Sequence, residues 1–281
     1  MTEQYDGLVR LGFLERNGRT ITHKKFYEGN SRVSADTSQK QSLIPYYFLI
    51  NMGGGFLEGE NYLIILDLGN KAQALVTTQA PTYVFKCEKF GGLTQQTTQA
   101  TLQEGSYLEY LADEIIPYVN SRYFQKNQFY LNKGAELIYS DGITAGWSGD
   151  ESFFPYDYFH SLTQIYQDGK LIFHDNMLLE PKKEDMTQLG YFEGYTNYNN
   201  LVIVSDKIDS VFVADLRKYL EKESFVSEFG VSELSTSGIA VKILGYKGEE
   251  NRKVMMACVN YFRRTIKNLP ELNLRKNDRR R

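Results

Sequence analysis

The sequence predicts a mainly β protein with a stacked, β-helix-like body of several sheets and two α-helices near the C-terminus. Three observations lead to this prediction. The chain holds 21 Tyr and 17 Phe against a single Trp, and an excess of these two residues favours strands. Short apolar runs separated by turn residues recur from about residue 5 to residue 204, which is typical of many short strands. Only two later stretches repeat apolar residues at the spacing of an amphipathic helix.

The first fifty residues predict three strands. Tyr5–Glu15 and Thr20–Glu28 both alternate along their length, and Asn17-Gly18 between them is a hairpin signal. Leu43–Asn51 is a dense apolar run whose short length fits a buried strand.

A glycine-rich stretch follows at residues 50–82. It contains a cluster of glycines and acids: Gly53, Gly54, Gly55, Glu58, Gly59 and Glu60. Glycines at this density mark backbone that has a positive φ or that approaches another backbone closely. The acids are either ordinary turn residues or oxygen donors to a cation, and both interpretations stay open at this point. Strand-like runs at 62–67 and 72–76 complete the stretch.

A weak internal repeat runs through the middle of the chain. Its three copies begin at Leu68, Leu102 and Leu131, which lie 34 and 29 residues apart. Each copy has a leucine, a turn, a small residue and then a β-rich run. A repeat of this size predicts stacked units that bury their faces against each other, in a solenoid-like stack or a multi-sheet sandwich. The alternative is chance similarity within a β-rich sequence.

Two further strand pairs are predicted before residue 205. Phe153–Tyr166 and Lys170–Leu179 flank a hairpin signal, Gln-Asp-Gly, at 167–169. Tyr191–Val204 predicts a second pair, with turn-prone asparagines between its halves at positions Asn197, Asn199 and Asn200.

The last third of the chain predicts two helices around a strand pair at 230–246. Asp206–Glu223 has apolar residues on one stripe, with Asp206 or Asp209 as the N-cap and acids in its first turn. Glu249–Lys267 repeats that pattern and ends with basic residues, as the helix dipole prefers.

These elements predict one domain over residues 1–281. The β body covers about 5–204, a C-terminal α+β layer covers about 205–270, and residues 271–281 form a basic tail. No Pro-rich or Ser-rich linker divides the body from the layer, which favours one compact unit. Arg275–Arg281 is expected to be a frayed, solubilising end.

Composition excludes several classes of function. The net charge of −3 and the pI of about 5.8 do not favour nucleic acid or an anionic membrane as partner. Only two cysteines occur, Cys87 and Cys258, which fits a reducing compartment. The N-terminus lacks an apolar signal core and no apolar run could span a bilayer, so a cytoplasmic protein is expected.

The chemistry-bearing residues do not form a recognisable catalytic constellation. The glycine cluster has acids where a phosphate-binding loop needs a lysine. The three histidines (His23, His160 and His174) lie in strand-like runs, without a nucleophile motif or a zinc-ligand spacing. We therefore expect a scaffold or binding protein and not an enzyme. A carbohydrate-active β-solenoid enzyme with paired carboxylates is the enzymatic alternative.

Three segments resemble a known family, the urease accessory protein UreD (UreH). Gly53–Glu60 is similar to that family's P-G-G-I/V-x-G-G-D, Leu75–Thr82 to its L-T-T-Q-A-A-T, and Leu108–Ile116 to its L-E-W-L-P-x-E-x-I. The order and spacing agree, and the likeness extends over about residues 5–270. The family-motif positions expected to be structural are Gly54, Gly55, Gly59, Thr77, Thr78 and Gln79. The departures are Gly53 for Pro, Glu58 for Gly, Glu60 for Asp and Tyr83 for Lys.

The resemblance implies a non-enzymatic maturation chaperone with a β-rich, helix-like stack of strands and two helices. Such a protein binds urease apoprotein subunits and, through a UreF-type partner, recruits a UreG-type GTPase. Together these proteins deliver Ni(II) to the urease active site, and an internal passage is proposed for the family. No tightly bound cofactor is implied, only transient Ni(II).

The metal-ligand chemistry of this chain favours a passage for nickel over a high-affinity nickel site. Ni(II) in tight sites prefers His and Cys ligands, in which this chain is poor. We predict that metal-contacting or passage-lining acids include Glu60, Glu109, Asp113 and Asp141. Solvated turn acids are the alternative for each position, and a generic β-scaffold unrelated to nickel is the alternative for the whole chain.

Overall fold

The structure, a computed structural model, describes residues 4–38, 43–89 and 91–276. The described residues form seventeen strands and two helices. The strands are β1 (Gly7–Arg16), β2 (Arg19–Gly29), β3 (Ser31–Val33), β4 (Tyr46–Asn51), β5 (Asn61–Leu68), β6 (Gln73–Thr78), β7 (Thr82–Val84), β8 (Thr94–Leu102), β9 (Tyr107–Leu111), β10 (Ile115–Pro117), β11 (Arg122–Leu131), β12 (Glu136–Thr144), β13 (Tyr158–Gln167), β14 (Lys170–Leu179), β15 (Asn197–Val204), β16 (Glu228–Glu233) and β17 (Gly238–Gly245). The helices are α1 (Ser210–Glu221) and α2 (Gly248–Thr265).

The strands form two stacked sheets. Sheet 1 has the order β14-β13-β11-β8-β5-β1-β2, and sheet 2 has the order β16-β17-β15-β12-β9-β6-β4-β3, with β7 and β10 attached to it. The centre of each sheet is parallel, because the chain passes from sheet 1 to sheet 2 and back in successive coils. The predicted fold class, mainly β with several sheets and two helices, is confirmed, and α2 lies near the C-terminus.

The internal repeat is the stacking of these coils. Leu102 pairs in register with Leu68 on one side and with Leu131 on the other, so the leucines that begin the three copies stack on each other. The fourth position of each copy has a positive φ, at Lys71 (58°), Gly105 (65°) and Gly134 (66°). The alignment read from the sequence is thus the observed register, and the alternative of chance similarity is excluded.

The hairpin predictions at residues 17–18 and 167–169 are both confirmed. The prediction of a strand pair within Tyr191–Val204 is wrong. Positive φ values at Asn17 and Gly18, and again at Asp168 and Gly169, make the tight turns. Residues 191–204 contain one strand, β15, which lies between β12 and β17. The three asparagines that were expected to turn are buried within it, at Asn197, Asn199 and Asn200. Side-chain partners inside the fold, such as the carboxylate of Glu114 for Asn199 (3.1 Å), override their turn preference.

Both helices cover the outer face of sheet 2. Asp209 is the N-cap of α1, where its carboxylate accepts a hydrogen bond from the Phe212 amide at 2.8 Å. The predicted acids in the first turn are absent, because the helix begins after Asp209 and not before it. The buried faces of α1 and α2 pack on Ile138, Leu201 and other outer-face residues of sheet 2. Neither helix in the described part of the chain is long and apolar enough to cross a membrane.

The residues after α2 fold back onto the body. Leu274 is buried in the core under the helices, and its carbonyl accepts a hydrogen bond from the Tyr46 hydroxyl at 2.7 Å. Lys276 reaches the carboxylate of Asp113. The prediction of a frayed end is therefore wrong for Arg275 and Lys276, because an apolar anchor and a buried counter-ion hold them. Residues 277–281 of that prediction lie outside the described residues.

The space between the two sheets has an apolar cluster at either end. One cluster contains the stacked leucines with residues such as Phe129 and Tyr139. The other is rich in aromatic side chains such as Tyr62, Tyr123 and Phe159. The two clusters leave a stretch of the interior between them that neither one fills.

Candidate functional site

The interior of sheet 1 is polar between the two apolar clusters. Parallel register stacks the same position of successive coils, which creates rows of like side chains across the sheet. Two such rows are Thr98–Asn127–Thr163 and Gln96–Gln125–Ser161. Five of these six side chains are buried, and Asn127 is only 3% exposed. Polar groups are expensive to bury, so two adjacent polar rows in a core are an unusual feature.

Asp141 faces these rows from sheet 2. Its carboxylate accepts hydrogen bonds from Gln125 Nε2 (3.1 Å), Asn200 Nδ2 (3.3 Å) and Ser161 Oγ (3.5 Å). All of these donors are neutral. Burial raises the pKa of Asp141, and the charge of Asp175 acts in the same direction. Asp141 is thus a carboxylate inside the protein that is solvated by amide and hydroxyl groups.

Three small cavities follow one another through this polar interior, and we call them the cavity row. The first, about 10 Å³, lies between β1, β3, β4, β5 and β8 and includes Gln96 in its wall. The central cavity, about 20 Å³, shares Gln96 with the first. The last, about 10 Å³, shares Gln125 and Asp141 with the central one and ends at Asp175 and Tyr198. The central cavity has room for about one water molecule. The row runs from the first coil to the last, across the strands.

Asp113 also lines the central cavity. Both of its oxygens lie 2.8 Å from Lys276 Nζ, and Arg252 Nη2 lies 3.4 Å away. The hydroxyl of Thr78 donates to the carboxylate at 2.9 Å and accepts from the Asp113 amide at 2.8 Å. Burial lowers the pKa of Lys276, while the negative charge of Asp113 opposes that shift. Two of the four predicted acids, Asp113 and Asp141, are therefore brought to one cavity.

Glu109 lies on the opposite face of sheet 2. Successive side chains of a strand point to opposite faces, so Leu108 and Tyr110 face sheet 1 while Glu109 faces α2. Its carboxylate is fully buried, and it accepts hydrogen bonds from the Arg263 guanidinium and the Tyr107 hydroxyl. Burial, together with the charge of Glu109, raises the pKa of Tyr107. Glu109 lines none of the three cavities, and its predicted part in metal transfer stays a prediction.

Glu60 orders the turn that follows the glycine cluster. It accepts hydrogen bonds from Leu57 N (2.7 Å), Tyr62 Oη (2.6 Å) and Asn30 Nδ2 (2.9 Å). Glu58 likewise accepts from the backbone amides of residues 88 and 89. The oxygens of both acids are engaged by groups of the protein, as the turn interpretation expects. Glu60 lines none of the three cavities, and its metal role also stays a prediction.

The glycines of the cluster serve two different purposes. Gly54 and Gly59 have φ values of 83° and 79° with open space around them, so they permit turns. Gly55 instead permits close approach, because a Cβ there would lie 2.7 Å from the carbonyl oxygen of Tyr83.

The threonines of the T-T-Q segment connect the coils. Thr77 donates its hydroxyl to the Leu111 carbonyl, and Thr78 holds Asp113 as described above. Gln79 has an exposed side chain, and its backbone N–H donates a hydrogen bond to the Leu49 carbonyl at 2.9 Å. This segment therefore positions Asp113, and Thr78 itself lines the central cavity.

Sequence reasoning missed the amide and hydroxyl walls of the cavity row. The signal was present in β8, whose sequence TQQTTQATL has Gln96 and Thr98 where the neighbouring strand β5 has Tyr62 and Ile64. The histidines lie apart from this site: His160 bonds to Tyr158 and to Asn176. Within the described ranges, no group of three or more His, Cys, Asp or Glu side chains is placed to hold a metal ion.

A stack of parallel β coils, two helices on one sheet and a buried polar row together define a β-solenoid-like protein with a polar interior. Comparison with known families matches residues 5–278 to the UreD urease accessory protein family. The chain is 59% identical over its full 281 residues to the urease accessory proteins UreD of Streptococcus thermophilus and Streptococcus salivarius, which it covers completely. It is 29% identical over 266 residues to UreD of Staphylococcus aureus, covering 94% of this chain and 95% of that one. The chain belongs to the UreD family of urease accessory proteins, which supports a role in urease maturation.

Proposed function

We propose that this chain is a non-catalytic, cytoplasmic chaperone of urease maturation. It binds urease apoprotein subunits and, with UreF- and UreG-type partners, assists GTP-dependent nickel delivery. The cavity row is the internal passage for the ion. Nickel is cargo here and binds only transiently.

The observation that supports the passage is the shared wall between successive cavities. Gln96 belongs to the first two, and Gln125 and Asp141 belong to the last two. A sandwich that needed only stability would fill this space with apolar side chains at native packing density. Amide and hydroxyl oxygens can instead replace water around a moving cation, as they do in ion pathways of other proteins.

Asp141 is the residue that gives this passage its charge selectivity. It lies where two cavities meet, and its three hydrogen-bond donors are neutral. A carboxylate whose neighbours are amide and hydroxyl groups attracts Ni(II) without holding it as His or Cys ligands would. Attraction with rapid release is what delivery requires.

The test changes the passage without changing the surface. Asp141→Asn keeps the side-chain shape and removes the charge, and Gln125→Leu keeps the bulk and removes the polar wall. Asp67→Asn is the matched control, because Asp67 is exposed on the outer face of β5. Each variant would be produced together with urease and the accessory partners at low nickel concentration.

We expect both passage variants to co-purify with urease subunits while the nickel content and activity of urease fall several-fold. The Asp67 control should match the unaltered chain. Full nickel loading with both passage variants would refute the passage. Failure of the unaltered chain to co-purify with urease or with a UreF-type protein would refute the scaffold role.

A further inference from the structure

The chain after α2 forms a strap, residues 270–276, that crosses the surface without regular secondary structure. Among the described residues of the strap, only Leu274 is fully buried. Its other attachments are the Lys276–Asp113 ion pair, the partly buried Leu272 and hydrogen bonds to side chains of the body. In two of these bonds, Leu272 N donates to Asn260 Oδ1 (2.7 Å) and Arg263 Nε donates to the Pro270 carbonyl (2.9 Å). A segment that is held by a few side-chain contacts, and that pairs with no strand, opens more easily than the strands beneath it.

A large groove lies between the strap and α2. Its volume is about 460 Å³, and its walls include Arg252, Met256, Leu272 and Lys276. The central cavity of the row lies behind it and is lined by Asp113. Asp113 contacts both Lys276 and Arg252, so one ion cluster separates the outer groove from the inner cavity.

We propose that Lys276 is a latch that closes a side port from this groove into the central cavity, and that displacement of the strap opens the port. The proposal rests on the passage proposed above and adds a regulated entrance to it. Closed, the lysine side chain fills the port and is only 8% exposed. Open, the port connects a groove that faces solvent with the polar interior.

The latch also controls the charge that the passage presents. While Lys276 is in place, its ammonium group contacts both oxygens of Asp113 at 2.8 Å and neutralises them. When the strap leaves, the carboxylate faces the cavity and keeps its contact with Arg252 Nη2 at 3.4 Å. A divalent cation can then compete for Asp113, because it attracts a carboxylate more strongly than one ammonium group does. Opening therefore supplies space and negative charge in one step.

A buried thiol reports whether the port is open. Asn127→Cys places that thiol in the wall of the central cavity, in a full-length chain that also carries Cys87→Ser. The remaining native thiol, Cys258, lies on the buried face of α2, where burial raises its pKa to about 12 and suppresses its reactivity. Methyl methanethiosulfonate is a small, neutral thiol reagent, and intact-mass measurement gives the rate at which the introduced thiol is modified.

Three further substitutions are compared in this reporter. Lys276→Gln removes the latch, and Leu274→Ala loosens the strap. Lys267→Gln is the matched control: it removes another mostly buried lysine–carboxylate pair near the end of α2, with Glu136, which lines none of the cavities. We expect modification about ten-fold faster in the first two variants and unchanged in the control.

Equal rates in all four proteins, with circular dichroism showing them folded, would overturn the latch. Acceleration in the Lys267 control as well would also overturn it, because general loosening would then explain the result. The thiol measurement contains no nickel and no urease. A fast Lys276 variant combined with full nickel loading by the Asp141 and Gln125 variants would keep the port and refute the passage function.

Discussion

The buried pair Glu109–Arg263 tests whether Glu109 stabilises the fold, as its contacts indicate, or takes part in nickel transfer, as the sequence predicted. The Glu109 side chain is 0% exposed and that of Arg263 is 8% exposed, and the pair joins β9 to the last turn of α2. Glu109→Ala leaves the guanidinium buried without its carboxylate. Removing one partner of a buried ion pair costs about 3–5 kcal/mol of unfolding free energy.

That loss is measurable by thermal unfolding. A chain of this length has an unfolding entropy of roughly 0.6 kcal/mol per kelvin near the transition, so the expected fall in Tm is about 5–9 °C. Replacing both partners, as Glu109→Met with Arg263→Met, removes the charges together. We expect most of the stability to return, because a well-packed apolar pair is often no worse than a buried ion pair.

The double variant also separates stability from nickel transfer. It lacks the Glu109 carboxylate but leaves Asp113 and Asp141 of the cavity row untouched, so urease loading should be normal. A fall in Tm of less than about 2 °C for Glu109→Ala would refute the buried-pair reasoning. A stable double variant that fails to load urease would show that Glu109 takes part in transfer, as the sequence predicted.

Three further predictions concern other parts of the fold. Asp209→Ala should cost about 1 kcal/mol in urea unfolding, because it removes the N-cap of α1, whereas Asp209→Asn should be nearly neutral. Leu102→Ala should cost about 3–5 kcal/mol in the same assay, since Leu102 is 0% exposed and is stacked between two other coils. Burial opposes the ionised form of Glu136, but hydrogen bonds from Lys267 and Ser205 and the positive charges of Lys267 and Lys207 outweigh it and lower the pKa of Glu136. That stabilisation is therefore present above the unfolded-state pKa and is lost as the pH falls through the lower folded-state pKa. In urea unfolding, the stability of Glu136→Gln should therefore fall less between neutral and acid pH than that of the parent chain.

Much of the fold could be predicted because its determinants are local. The hairpin at Asn17-Gly18 requires positive φ values that these two residues tolerate, and the structure has them there. The repeat at Leu68, Leu102 and Leu131 carries its turn and its strand within a few residues, so the register of the stack was already visible. The interpretation failed at Asn199 and Asn200, where buried partners from other elements outweigh the turn preference.

The site was predicted only in part. Asp113 and Asp141 come to one cavity, but Glu109 sits on the other face of the same sheet, and sequence spacing alone did not say which face of β9 the helices would cover. The glutamines and asparagine that line the cavity row come from different coils. Apart from the polar pattern of β8, each is unremarkable in its own strand, and only the parallel register stacks them.

By itself, the sequence determined the class of fold, the stacked repeat, the two helices and membership of the UreD family, because periodicity, turn residues and motif order are properties of short segments. Only the tertiary structure decided that Lys276 closes on Asp113, 163 residues earlier in the chain, and that a polar row survives between two apolar clusters. Burial and charge pairing depend on which distant groups meet, and that is settled when the coils stack and α2 and the strap fold over sheet 2.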